Sequence, residues 1–473
     1  MKDLKNRIKI IKNVYVLTGP SDGKICDIYL EDGRIADIIE IGSGDVLEGI
    51  CEAKDISDTI DGTGLYVAPG FVDLHVHFRD PGFTDKEDIL SGSLAAARGG
   101  YTTVCCMPNT NPTIDNTETL LDIDRRGREA GLSDLFAVSA MTKAQDGKSA
   151  VAFDEMDQTD TLCRKFIGHG IAGISEDGKS LMDEALMKSI SAEAKILDLP
   201  LMDHPEDSRL SGGCINEGEI SEKLGLKGIP KEAELNIVLR DINLAESTGA
   251  RIHLQHISTA ESVEAIRAAK KRLRKNKQLP DDDLRLSAEA TPHHISLTEE
   301  DVLEYGTNAK MNPPLRTEKD RLAVIEGLCD GTIDIIATDH APHTTAEKKA
   351  SLSEAPFGIV GLETAFAVCY TKLVIPGHMS IASLIKAMSA KPAEIIGLDR
   401  GILMEGKIAD IVILDLKNPF RIDKNTFASK GKNTPFDGWE LHGQVKHTIK
   451  GAALIGCNSS GIGMIKVNGG AAV

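Results

Sequence analysis

Apolar and polar positions along this 473-residue chain fall into two kinds of pattern. Between residues 70 and 343, short apolar runs recur at intervals of roughly 30 to 50 residues, each followed by an Ala-, Glu-, Lys- and Leu-rich helical stretch. That is the alternation of parallel βα units. Eight runs stand out: GFVDLHVHF (70–78), YTTVCCMP (101–108), LFAVSAMT (135–142), IAGISEDG (171–178), LPLMDHPED (199–207), RIHLQHIS (251–258), LRLSAEATPHH (284–294) and IDIIATDHAPH (333–343). Nearly every run ends in His, Asp, Asn or Glu. The C-terminal strand ends of a parallel barrel converge on one face, so eight polar-ended runs predict a closed (β/α)8 TIM-like barrel in preference to an open sheet.

The flanks have a different rhythm. Before residue 70, NVYVLTG and DIYLEDGRIADII predict short strands with turns, and after about residue 405 GKIADIVILDL and HTIKGAALIG do so again. The expected organisation is a barrel over 70–400 and a small β-sandwich domain built from both chain ends, 1–69 and 401–473. The Gly-rich tail SSGIGMIKVNGGAAV after Cys457 reads as loosely held.

Composition narrows the class. The chain is 41% hydrophobic with no apolar run long enough for a bilayer, and MKDLKNRIKIIKNVYVL lacks the apolar core and cleavage site of a leader, so a cytoplasmic protein is expected. Nine cysteines without a CxxC pair suit reduced buried thiols. A net charge of −18 repels nucleic acid, and the one basic run, KKRLRKNK (270–277), reads as a solvated helix end.

The chemistry sits at the strand ends. His75 and His77 are two apart on a strand, so both imidazoles face one side and can bind one metal ion, although the pair alone fits two hydrogen-bonded histidines equally well. Asp177, His204, His256 and Asp339 at four further strand ends tip the balance toward metal. Zinc accepts imidazole and carboxylate together, and a shared carboxylate, Asp177, would hold two ions about 3.5–4 Å apart. Asp339 is placed to touch a metal, accept the proton released as water attacks, and deliver it to the leaving nitrogen. Arg79, two residues beyond His77, offers a bidentate clamp for a carboxylate. Asn109 and Asn312 stand beside prolines, where turn formation explains them as readily as binding does. His169, His253, His293, His294 and His340 read as structural or supporting. The polar stretch after His343, TTAEKKASLSEAP, has the composition of a loop covering the site.

Taken in order, GFVDLHVHFRDPG, AAARGGYTTVCCMPNT, ISEDG, HPED, QHIST, ATPHHISLTEED, MNPPLR, ATDHAPH, PFGIVGLETAF and SKGKNTPFDGW closely resemble the type I dihydroorotases of the amidohydrolase superfamily, over nearly the whole chain. That resemblance implies reversible interconversion of N-carbamoyl-L-aspartate and L-dihydroorotate in pyrimidine biosynthesis. It implies two zinc ions, one held by His75, His77 and Asp177 and the other by Asp177, His204 and His256, with Asp339 as the acid/base that also ligates the first. Lys179 is then a bystander, because type I members place an aspartate where many relatives carry a bridging lysine. Arg79, Asn109 and His343 match the family's substrate-carboxylate positions and Asn312 its ring-amide contact, while Pro356, Phe357 and Gly358 add backbone contacts. A homodimer is expected, with aspartate transcarbamoylase as the candidate partner chain. The rival readings are another cyclic amidohydrolase, an allantoinase or dihydropyrimidinase, and a catalytically dead scaffold, which would have lost metal ligands.

Overall fold

The computed structural model describes residues 9–42, 59–275 and 284–457. The Gly-rich tail, the first eight residues and the last two residues of the basic run lie outside the described residues.

Eight parallel strands follow one another around the barrel: Phe71–Val76, Tyr101–Cys106, Asp134–Ala137 continuing into Ser139–Ala140, Ile174–Ser175, Leu201–Asp203, Ile252–Leu254, Leu286–Ala290 and Ile335–Ile336. The third strand changes neighbour midway. Its first half pairs Val104 with Leu135, and its second pairs Ser139 with Ile174. The ring closes where Val76 bridges His340 in parallel, with the His77 N–H donating to the His340 carbonyl at 2.9 Å. The strands are buried along their whole length. Side chains on one face fill the barrel and those on the other pack under helices, which is why the strands read as apolar runs and not as alternations.

The covering helices begin and end where local chemistry dictates. Asp88 caps Ile89–Arg98 by accepting from the Ser91 N–H, and Thr317 caps Glu318–Asp330 in a reciprocal box with Asp320. Asn116 opens Thr117–Ala130, and Gly131 closes it at a φ of 65° that a side chain would disfavour.

Both chain ends enter one mixed sheet of eight strands. Ile411–Asp415 runs antiparallel to Tyr66–Pro69, so the C-terminal part pairs directly with the N-terminal part. The sheet curls until its edge strand Arg34–Glu40 meets the chain ahead of Ile411, with the Ile35 N–H on the Lys407 carbonyl and the Ala409 N–H on that of Gly33, both at 2.9 Å. The expected sandwich thus takes the form of one curled sheet, which encloses Ile11, Val14, Ile28, Ile35, Val67, Ile411, Ile413 and Ile449. Curling buries the apolar face and protects an edge that a flat sheet would expose.

Contacts at both ends of the barrel tie this sheet to it. At the strand-start end, buried Arg400 lies 2.5 Å from Asp134 and 2.8 Å from Asp410. At the other end, residues 428–433, inside the 401–473 span assigned to the sheet, return to the barrel mouth: the Ala428 N–H donates to Glu363, and Asn433 reaches the loop after the eighth strand. Among the described residues no helix is long and apolar enough to cross a membrane.

Candidate active site

The strand ends bring His75, His77, Asp177, His204, His256 and Asp339 into one buried cluster. Asp177 lies among three imidazoles, its Oδ1 3.1 Å from His75 Nε2 and 3.6 Å from His204 Nδ1, its Oδ2 3.4 Å from His77 Nε2. Asp339 Oδ1 stands 3.0 Å from His77 Nε2 and 3.6 Å from His75 Nε2. His256 Nε2 approaches His204 Nδ1 at 2.8 Å. His256 and Asp339 hold φ angles of 31° and 46°, and Arg79 one of 59°. A non-glycine residue adopts such angles at a cost, and three at one barrel mouth mark a place where side-chain aim outweighs backbone comfort.

The donors group as His75, His77 and Asp339 in one set and His75, Asp177 and His256 in another, with ligand atoms within 4.8 Å of one another. In this geometry His75 belongs to both sets, and His204 joins through its contacts with Asp177 and His256. Burial disfavours charge on His75, but Asp177, Glu289 and Asp339 outweigh it and lift the ring well above the usual histidine range. Burial would likewise raise Asp177, yet His75 and His77 hold it well below the usual carboxylate range. Burial together with the His204 and His75 charges pushes His256 far down. His75 Nε2, Asp177 Oδ1 and His256 Nδ1 are buried with no hydrogen-bond partner. Buried polar atoms are rarely left so, and orphaned imidazole and carboxylate donors facing one space are the set that a borderline divalent cation satisfies. The residues present fit a metal.

Supporting groups emerge only in the structure. Glu289 Oε1 accepts from His75 Nδ1 at 2.6 Å and from the His256 N–H at 3.1 Å, while its Oε2 meets His253 Nε2 at 3.0 Å. Burial would raise Glu289, but His75 and His253 bring it down to about 2. With Nδ1–H committed to Glu289, His75 turns the Nε2 lone pair toward the cluster, as a metal ligand requires. The signal was in LSAEA, where a carboxylate interrupts an apolar strand. Asn109 accepts from His77 Nδ1 at 3.0 Å and lies 3.4 Å from Asp177 Oδ2, so in this structure it orients two donors. Asn312 donates to Glu206 at 3.1 Å, and Glu206 lies 3.5 Å from His204 Nε2. Burial opposes charge on His204, but Asp177 and Glu206 raise it to about 10.

Arg79 forms no ion pair among the described residues, and its Nε is buried without a partner. Burial lowers its pKa against the pull of Asp339 and Asp177. His343 Nε2 faces the Phe357 carbonyl at 2.7 Å and so carries the proton there, leaving Nδ1 buried and unpartnered. Pro356, Phe357 and Gly358 follow in the same loop, with Gly358 at a φ of 121°. The bystanders are also placed. Lys179 donates to the Gln145 carbonyl, His294 meets Thr291 and the Pro313 carbonyl, His340 accepts from the Gly361 N–H, and His169 meets Asp157.

The family model described as the amidohydrolase family matches residues 66–462. Among curated relatives, the dihydroorotase of Thermoanaerobacter sp. is 46% identical over 93% of this chain and 95% of its own length, and that of Clostridioides difficile 43% identical over 94% and 99%. The chain belongs to the amidohydrolase family, among its dihydroorotases. Enzymes of this family depend on a metal, and the two donor sets are the candidate ligands in this dihydroorotase sequence. Among solved structures, an L-hydantoinase from Arthrobacter aurescens superposes with a TM-score of 0.80 at 24% identity over 96% of this chain and 97% of its own. A D-hydantoinase from Thermus sp. does so at 0.77 and 24%, over 96% of each chain. At that identity they establish the barrel fold and nothing about the substrate.

Proposed function

We propose that this chain is a working dihydroorotase, interconverting N-carbamoyl-L-aspartate and L-dihydroorotate in pyrimidine biosynthesis. The observation that carries the reading is Arg79: an unpaired guanidinium at the edge of a complete His and Asp cluster, where a substrate carboxylate would complete it.

His75, His77, Asp177, His204, His256 and Asp339 would hold two zinc ions, with Asp177 between them. Bound there, zinc supplies Lewis acidity toward the ring carbonyl and a water acidified enough to ionise near neutral pH. Asp339 takes up the proton that water loses on adding to the ring carbonyl carbon and hands it to the amide nitrogen as the ring C–N bond breaks; ring closure reverses both transfers. Arg79, Asn109 and His343 hold the substrate carboxylate, and a carboxylate beside His343 favours its imidazolium form. Asn312 and the 356–358 peptide orient the ring amide. Glu289 and Asn109 keep His75 and His77 in the tautomers this chemistry needs.

The wider expectations belong to the same reading: a cytoplasmic homodimer that associates with aspartate transcarbamoylase, and a division of the chain at residues 69 and 400. The deciding experiment offers the zinc-loaded protein dihydroorotate, carbamoyl aspartate, hydantoin, dihydrouracil and allantoin. Turnover confined to the first pair supports the reading; turnover of a ring without a carboxylate, with none of dihydroorotate, overturns it.

A further inference from the structure

We propose that Lys348 is a positioning residue for substrate recognition: its buried ammonium locks the peptide Pro356–Gly358 in the pose that faces the ring. The inference rests on the dihydroorotase reading for what the peptide faces.

Lys348 ends the short helix Thr345–Lys348 and is 7% exposed. Its Nζ donates to the carbonyls of Gly358 at 2.9 Å, Pro356 at 3.0 Å and Lys310 at 3.4 Å. A second buried ammonium lies alongside. Lys310, two residues before Asn312, donates to the Leu352 carbonyl at 2.6 Å and sits 4.5 Å from the centre of the Phe357 ring. Neither lysine forms an ion pair among the described residues, and the carboxylate next to Lys348 in sequence, Glu347, turns to Lys86 at 2.7 Å. A buried ammonium without a counter-ion is costly, and here its hydrogens are satisfied entirely by main-chain carbonyls.

The consequence falls on three consecutive residues. The Pro356 carbonyl is held by Lys348, that of Phe357 by His343, and that of Gly358 by Lys348 and by Asn433 Nδ2 at 3.0 Å. The Gly358 N–H donates to the Lys310 carbonyl at 3.0 Å. Gly358 packs directly on Ala341, since a Cβ added there would lie 2.6 Å from that of Ala341, so a side chain at 358 would push the peptide out of this pose. Asn433 also accepts the His343 N–H at 3.1 Å, so the ring of His343 and the loop it faces share one anchor. The stretch whose composition suggested a loop covering the site is therefore held at its far end. A methionine in place of Lys348 fills the same space but supplies no donor.

Because Lys348 touches none of the metal donors, removing its hydrogen-bond donors should weaken binding and spare chemistry. For Lys348→Met we expect KM for both substrates to rise about tenfold with kcat within about twofold, and bound zinc unchanged. Asn433→Ala, which removes the other donor to the Gly358 carbonyl, should raise KM in the same direction, and the double variant should show less than the sum of the two effects. Unchanged KM in Lys348→Met, or a KM rise matched by loss of zinc, overturns the proposal; so does unchanged KM in Asn433→Ala if Lys348→Met fails to fold. Hydrogen exchange over residues 349–358 separates this from failure of the dihydroorotase reading. An inactive wild type sinks that reading, whereas protection in Lys348→Met equal to wild type sinks the lock.

Discussion

Glu289 accepts a hydrogen bond from His75 at 2.6 Å with one oxygen and faces His253 at 3.0 Å with the other. A single carboxylate from the seventh strand thereby sets the ring orientation of a residue on the first. Groups that orient metal ligands typically contribute about 10- to 100-fold in metal affinity. Glu289→Ala should lower zinc affinity by that factor, read by metal titration of the stripped protein, while circular dichroism stays that of the wild type.

Asp339 is the only acid of the cluster left near His77 once Asp177 is engaged by three imidazoles. Asp339→Asn keeps the shape and removes the proton acceptor, so kcat should fall by about 10²- to 10⁴-fold. Full activity in this variant would remove Asp339 from the proton transfer.

Arg79 presents a planar fork, and a lysine there keeps the charge but loses the paired hydrogen bonds. Arg79→Lys should raise KM by roughly 10-fold or more with a smaller effect on kcat, on the scale of one to two charge-assisted hydrogen bonds. An unchanged KM would mean that the substrate carboxylate binds elsewhere.

Removing metal should abolish turnover and lower Tm, since orphaned buried donors are then left with charges and lone pairs unmatched. Dialysis against a chelator followed by zinc should restore both, measured by activity and calorimetry on one sample.

Glu363 provides a pH test outside the His and Asp cluster. Burial lifts its carboxyl from 4.5 to about 7, against the pull of the Ala428 and Ser429 N–H groups and Arg98. Between those values the folded state holds a proton that the unfolded state has lost, so this group makes stability fall as pH rises from about 4.5 to about 7. Glu363→Gln is neutral throughout. The Tm difference, variant minus wild type, should be more favourable at pH 7.5 than at pH 5; an equal difference at the two pH values would show that Glu363 is not protonated in the fold.

Much of this molecule was legible before folding. Eight apolar runs with polar ends specify eight parallel strands because strand and helix periodicities are local, and the C-terminal ends of such strands share a face. His75 and His77 were readable as a pair because spacing of two on a strand is itself a statement about direction. The ordered motifs carried the family. What tertiary structure alone decided are the relationships between residues distant in sequence: Glu289 beneath His75, Asn109 on His77, His75 lying in both donor sets, and residues 428–433 returning to the barrel mouth to hold His343 and Gly358. Nothing local in the sequence marks Lys310 and Lys348, since it does not distinguish a solvated lysine from one caged by carbonyls. Local pattern dictates which way a side chain points along its own strand; what it meets there depends on the closure of the barrel, which brings the first strand to the eighth.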